Sequence, residues 1–140
     1  MRRAHAAAIA VSCTLFAGVE RASAQSAAFF RMDGPPHPET FVVKVKNPDK
    51  IAHIRRILSG EETEAVHVMG RVRASAKRWN RPWNYILAPR SVQFFELAIE
   101  VCDASIDYVE EHLDEVGTDF LPGRVWCPWG SRFLEEIEPR

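Results

Sequence analysis

The chain has 140 residues, of which 46% are hydrophobic and 26% charged, and its formal net charge is −1. That is ordinary globular composition for one domain, and a chain of this length buries enough surface to fold without a metal. Residues 44–90 hold 11 Lys and Arg against 4 Asp and Glu, whereas residues 96–140 hold 3 against 12; a nucleic-acid binder is not expected to carry so acidic a half, and two oppositely charged solvated faces explain the split.

The predicted elements begin with a leader. Arg2 and Arg3, the apolar residues 6–18 and the Ala22-Ser23-Ala24 site have the form of a secretory signal peptide over residues 1–24, cleaved before Gln25. The apolar run is too short to span a bilayer, and no transmembrane segment is predicted elsewhere. The mature chain is therefore expected to be secreted or periplasmic. Residues 25–39 contain Gly34-Pro35-Pro36 and Pro38 and read as a flexible, Pro-rich N-terminal segment, leaving residues 40–140 as a single domain.

Phe41, Val43 and Val45 alternate with Val42, Lys44 and Lys46, which predicts a strand with one buried face. Asn47-Pro48-Asp49 then supplies a helix cap, a proline at the first helical position and an acid in the first turn. Ile51, Ile54, Ile57 and Leu58 form the apolar stripe, and Ser59-Gly60 ends the helix. A second strand follows, with Val66, Val68, Gly70, Val72 and Ala74 inward and a basic outer face carrying Arg71 and Arg73. Trp83, Tyr85 and Leu87 make the inward face of a third strand. Phe95, Leu97, Ile99 and Val101 alternate with Glu96, Ala98 and Glu100, which predicts a fourth. Ile106, Val109, Leu113 and Val116 recur at helical spacing, with Asp107, Glu110 and Glu111 near the N-terminus and Gly117 as the stop. A last strand is expected near residues 132–136. The fold class is α+β: a single antiparallel sheet of four to five strands with two helices packed on one face, in the order β-α-β-β-β-α-(β).

The stretches "NPDKIAHIRRILSGEE", "HVMGRV", "RPWNYILAPRSVQFFELAIEVCDASIDYVEEHLDEVG" and "FLPGRVWCPWGSR" carry a likeness to known sequences. Through them, over residues 40–132, the chain resembles small secreted bacterial proteins related to a calmodulin-binding protein, named for the N-terminal domain of a slime-mould calmodulin-binding protein. Relatives often carry His just before the Leu of the third strand, where this chain has Ile86. A calmodulin target needs a basic amphipathic helix. The candidate, residues 48–58, is short, its apolar stripe is needed by the sheet, and Lys50, Arg55 and Arg56 read as a solvated face. Calmodulin is therefore not expected as a partner.

Cys102 and Cys127 are the two cysteines beyond the leader. In an oxidising compartment an even pair predicts a disulfide. Two buried thiols, or a nucleophilic thiol served by His53, His67 or His112, are the other readings. With His37 there are four histidines past the leader, and no two share a metal-ligand spacing. The acids of residues 103–119 follow a helical period and not the order of a calcium loop. No catalytic residue, metal or cofactor is predicted. The four tryptophans fall in two loop-like segments, Trp79-Asn80-Arg81-Pro82-Trp83 and Trp126-Cys127-Pro128-Trp129. Loops carry binding residues, and Trp is favoured at binding hot spots. Trp79, Arg81, Trp126, Trp129 and Arg132 are the candidate contacts with an unidentified protein or glycan, while Trp83 faces the core. The function expected is that of a secreted, non-catalytic binding module. A small secreted hydrolase with scattered Asp, Glu, His or Cys is the alternative, and a purely structural envelope domain a third.

Overall fold

The computed structural model describes residues 27–98 and 100–139. The expected signal peptide and its cleavage site lie outside the described residues. Among the described residues, two short α-helices and seven strands are arranged as two sheets around a main core, with a smaller buried cluster of Phe95, Cys102 and Cys127. The class is α+β, but the single sheet expected from the sequence is corrected to two.

The first sheet begins where a flexible segment was expected. Strand β1 (Ala28–Gly34) buries Ala28, Phe30 and Met32 and turns Phe29, Arg31 and Asp33 outward. It pairs with β2 (His37–Val45) through a tight turn at Pro35-Pro36, Gly34 facing His37. On its other edge lies β7 (Phe133–Ile137), so the order is β2-β1-β7, all antiparallel. The segment expected to be flexible thus supplies the central strand of a sheet. Pro35 and Pro36 form the hairpin turn that sends the chain back.

Helix α1 (Pro48–Ser59) is as expected. The Asn47 side chain accepts from the backbone N–H groups of Asp49 and Lys50, and Gly60 closes the helix at φ 82°. Helix α2 (Ile106–Glu111) is shorter than its apolar period predicts. Ser105 caps it, and the period runs on through turns to the buried Val116. Both helices pack against the first sheet, α1 beside β7 and α2 beside β2.

The second sheet is built on β3 (His67–Ala74), which pairs antiparallel with β4 (Tyr85–Leu87), β5 (Gln93–Phe95) and β6 (Val125–Trp126). The expected fourth strand stops at Phe95, because Phe95 pairs with His67, the first residue of β3. Beyond it there is no strand left to pair with. Leu97 and Val101 are exposed, and residues 100–102 form a single 3-10 turn instead. Ile99 lies outside the described residues.

The core is continuous across both sheets and both helices. It gathers Phe30 and Met32 of β1, Phe41, Val43 and Val45 of β2, Ile51 and Ile54 of α1, Val68 and Val72 of β3, Tyr85 and Leu87 of β4, Ile106 and Val109 of α2, and Trp126 of β6. Among the described residues no helix is long and apolar enough to cross a membrane.

Candidate functional site

The two tryptophan segments have opposite fates. The first lies between β3 and β4, where residues 78–80 make one 3-10 turn. Asn80 is wholly buried there. Its Oδ1 accepts from the Val42 N–H of β2 (2.6 Å), and its Nδ2 donates to the Tyr85 carbonyl of β4 (2.9 Å). One amide therefore joins an edge strand of each sheet and holds the loop down. Trp79 beside it is half-buried, its ring edge-on to Phe29 with centroids 5.3 Å apart. Trp83 is buried, as its place in the alternation predicts, and its indole N–H donates to the Thr40 carbonyl (2.9 Å). Arg81 is exposed.

In the second segment Trp126 corrects the expectation of a surface contact. It is 0% exposed, packed on Phe41 and Tyr85, with its indole N–H donating to the Ala104 carbonyl (2.8 Å). Trp129 is half-buried against Phe95 and His67, with centroids at 5.2 and 5.3 Å. Its indole N–H and the Nδ1 of His67 are both buried with no hydrogen-bond partner among the described residues. Arg132 is exposed, and its backbone N–H donates to Asp33 Oδ1 (2.6 Å). Trp79 follows the C-terminal end of β3, and Trp129 touches His67 at its N-terminal end. A strand of that length separates them by about 20–25 Å. The five candidate residues therefore do not converge on one patch.

Cys102 and Cys127 are joined in a disulfide with Cα atoms 5.2 Å apart, and both are buried. That removes the thiol nucleophile. The histidines are dispersed. His53 stacks on Phe94 with its Nε2 on the Ala65 carbonyl, and His112 stacks on Tyr108 with its Nδ1 on the Tyr108 carbonyl. Among the described residues no group of three His, Cys, Asp or Glu is placed to hold a metal. The Tyr85 hydroxyl donates to the Ile106 carbonyl (2.9 Å), and burial, with Glu110 and Asp107 adding to it, pushes its ionisation far above the ordinary tyrosine range. Asp107 is held below the usual carboxylate range, first by its hydrogen bond with Ser105. Neither group is poised for acid–base work near neutral pH.

What the sequence reading missed is a groove of about 940 Å³ beside Trp79. Its cations are Lys44, Lys46, Arg73, Lys77, Arg90 and Arg124, and no carboxylate or histidine lines it. Arg73 and Ile86 are direct cross-strand partners of β3 and β4, and they share the sheet face opposite Val72 and Leu87. Ile86 is thus part of the floor and supplies no titratable group. Arg90 comes from the excursion between β4 and β5. Ser91 holds that turn, its Oγ accepting from the Arg71 N–H and donating to the Ala88 carbonyl, both at 2.8 Å. Arg124 is committed to the fold, donating to the carbonyls of Val72 (2.9 Å) and Val116 (3.2 Å). The basic outer face of β3 was legible in the sequence. Its convergence with Lys44, Lys46 and Trp79 was not, because it depends on how the two sheets meet.

No curated protein and no solved structure matches the chain. The family model for the N-terminal domain of calmodulin-binding protein 74 matches residues 26–140, which includes every described strand and helix. The chain belongs to this family of N-terminal domains related to calmodulin-binding protein 74.

Proposed function

We propose that this chain is a small, non-catalytic binding module that works outside the cytoplasm and holds an anionic protein or glycan through Trp79 and the groove beside it. The observation that carries the reading is the lining: six cations and one tryptophan around a concave surface with no carboxylate among them. A cleft of one sign of charge concentrates ligands of the other sign, and an aromatic wall adds contact at little entropic cost. Trp126 drops out of the contact surface, and Trp129 lies against the N-terminal end of β3, away from Trp79. Against a hydrolase, the groove has no carboxylate or histidine in its lining, and the Glu110 carboxylate of α2 is held by Asn84. Work outside the cytoplasm is supported by the leader-like residues 1–24 and by the Cys102–Cys127 bridge, a bond that persists in oxidising compartments.

The test is retention of the purified chain on immobilised dextran sulfate and on uncharged dextran. Retention on the sulfated matrix alone, released by added salt and lost in the double variant Lys46→Glu/Arg73→Glu, is expected. Equal behaviour on both matrices, or indifference to the double variant, overturns the reading. Export is tested separately. The secreted protein should begin at Gln25, and material that keeps Met1 contradicts that part.

A further inference from the structure

We propose that the groove takes an acidic polysaccharide, a run of uronate sugars whose carboxylates lie on Lys44, Lys46, Arg73, Lys77 and Arg90 while one sugar ring stacks on Trp79. This rests on the binding-module reading and names the ligand class of that site. None of the five cations is ion-paired with a described carboxylate; the arginine–carboxylate pairs among described residues lie elsewhere, at Arg31–Glu135, Arg55–Glu136 and Arg132–Asp33. Five uncompensated cations repel one another, and a polyanion relieves that repulsion.

Three features favour a sugar acid over other polyanions. First, Lys44 and Lys46 are two residues apart in extended chain at the end of β2, about 7 Å along it, and Arg73, Lys77 and Arg90 line the same groove. Several cations spread along a groove suit a repeating anion better than a lone one. Second, the aromatic wall is built next to the row. Phe29 carries the edge-on contact of Trp79 on its ring, and Lys44 Nζ lies 5.1 Å from the same ring. A pyranose presents an apolar C–H face that stacks on indole and carboxylates at its rim, and both needs are met within one side chain's reach. Third, the floor is a paired ladder. Arg73 and Ile86 are partners within the sheet, so a ligand lying on the floor meets their side chains, and strand addition would need the outer edge of β4 instead. An extended acidic peptide would gain the backbone pairing of an added strand only at an open edge. Single-stranded nucleic acid is bound by stacking successive bases on several aromatic side chains, and this groove has one tryptophan.

The experiment is titration of the purified chain with polygalacturonate, poly-L-glutamate, single-stranded DNA and neutral dextran, with thermal unfolding of every variant as the check on folding. Polygalacturonate should bind roughly tenfold or more tighter than poly-L-glutamate, since only it uses the tryptophan. Lys46→Glu/Arg73→Glu should weaken both by roughly tenfold or more. Trp79→Leu should weaken polygalacturonate by roughly tenfold and poly-L-glutamate by less than about twofold, and Trp79→Phe should restore the sugar polymer to within about threefold. If poly-L-glutamate or DNA binds as well as polygalacturonate, or if Trp79→Leu affects all polyanions alike, the sugar assignment falls while the binding module stands. If no polyanion binds, both fall.

Discussion

Asn80 has both ends of its buried amide in use, one on each sheet. Replacing it with alanine leaves the Val42 N–H and the Tyr85 carbonyl without partners in a site closed to water. Each stranded group costs about 1–3 kcal/mol, so Asn80→Ala should lower unfolding stability by about 3 kcal/mol in urea titrations. Asn80→Asp should do no better, because it keeps the acceptor, loses the donor and brings a charge into the core. The same loop holds two tryptophans, and the tail two more; alternation with Tyr85 and Leu87 marks Trp83 as inward, but in the sequence Trp126 and Trp129 look alike. What separates them is backbone pairing. Trp126 pairs with Gly70 of β3, and that register turns its ring into the core against Phe41 and Tyr85. Trp126→Ala and Trp83→Ala should each cost about 3–5 kcal/mol, as large core truncations do. Trp79→Leu should change stability far less, since Trp79 is half-exposed. Alternation is enough to place Trp83, but in the tail it takes the pairing register to tell Trp126, which is buried, from Trp129, which is half-exposed.

The elements most legible in the sequence are those whose signals are local. Helix α1 has its cap, its proline and its terminal glycine between Asn47 and Gly60, and all three act as their chemistry predicts. Asn47→Ala should cost about 1 kcal/mol through the two N–H groups it strands. Gly60→Ala meets no atom within 4 Å, so its cost of about 1–2 kcal/mol comes from the left-handed backbone alone. Strand β1 was hidden because Phe29, on its outward side, is apolar too, which blurs the alternation of Ala28, Phe30 and Met32. The end of β5 was hidden because it is set by where β3 begins, a fact about another segment. Between α1 and β7 runs the ion pair of Arg55 with Glu136, with contacts of 2.8 and 2.7 Å. The hydrogen bond from Arg55 holds the Glu136 carboxyl below the usual range, against a smaller opposing effect of burial. Its folded value is depressed, so its stabilisation is present above the unfolded carboxylate value near 4.3 and fades as pH falls below it. The pair is partly exposed, which keeps its contribution under about 1 kcal/mol. Glu136→Gln should therefore lower stability slightly at neutral pH and make the profile flatter below pH of about 4. An unchanged acid profile in that variant would show that the pair contributes nothing.

At the scale of the whole molecule, the order of helices and central strands was legible, but the division into two sheets was not. Period-two patterns state that a strand has a buried face, and they do not state which strand lies beside it. Here β1 and β7, from the two ends of the domain, complete one sheet, while β3 gathers the other. The tail is thus held twice, by β7 on β1 and by the disulfide. The bridge closes a separation of 25 residues that contains α2 and the turns after it, and the Cys127 N–H also donates to the Cys102 carbonyl (2.8 Å). On the chain-entropy account, a loop of that size contributes about 3 kcal/mol by restricting the unfolded chain. The native contacts around it do not depend on the sulfur bond. Trp126 stays in the core, and β6 stays on β3 through Gly70 and Arg71. A chain reduced with dithiothreitol should therefore remain folded at room temperature, with its urea midpoint lowered by an amount equivalent to about 3 kcal/mol. Cys102→Ala/Cys127→Ala should behave in the same way, with a further small loss from the buried sulfur contacts. Intact mass should fall by two hydrogens on oxidation of the reduced form. A reduced chain as stable as the oxidised one would mean that the unfolded state is already compact around α2. A reduced chain that unfolds outright would mean that β6 and the tail of the domain are held by the bridge and not by Trp126.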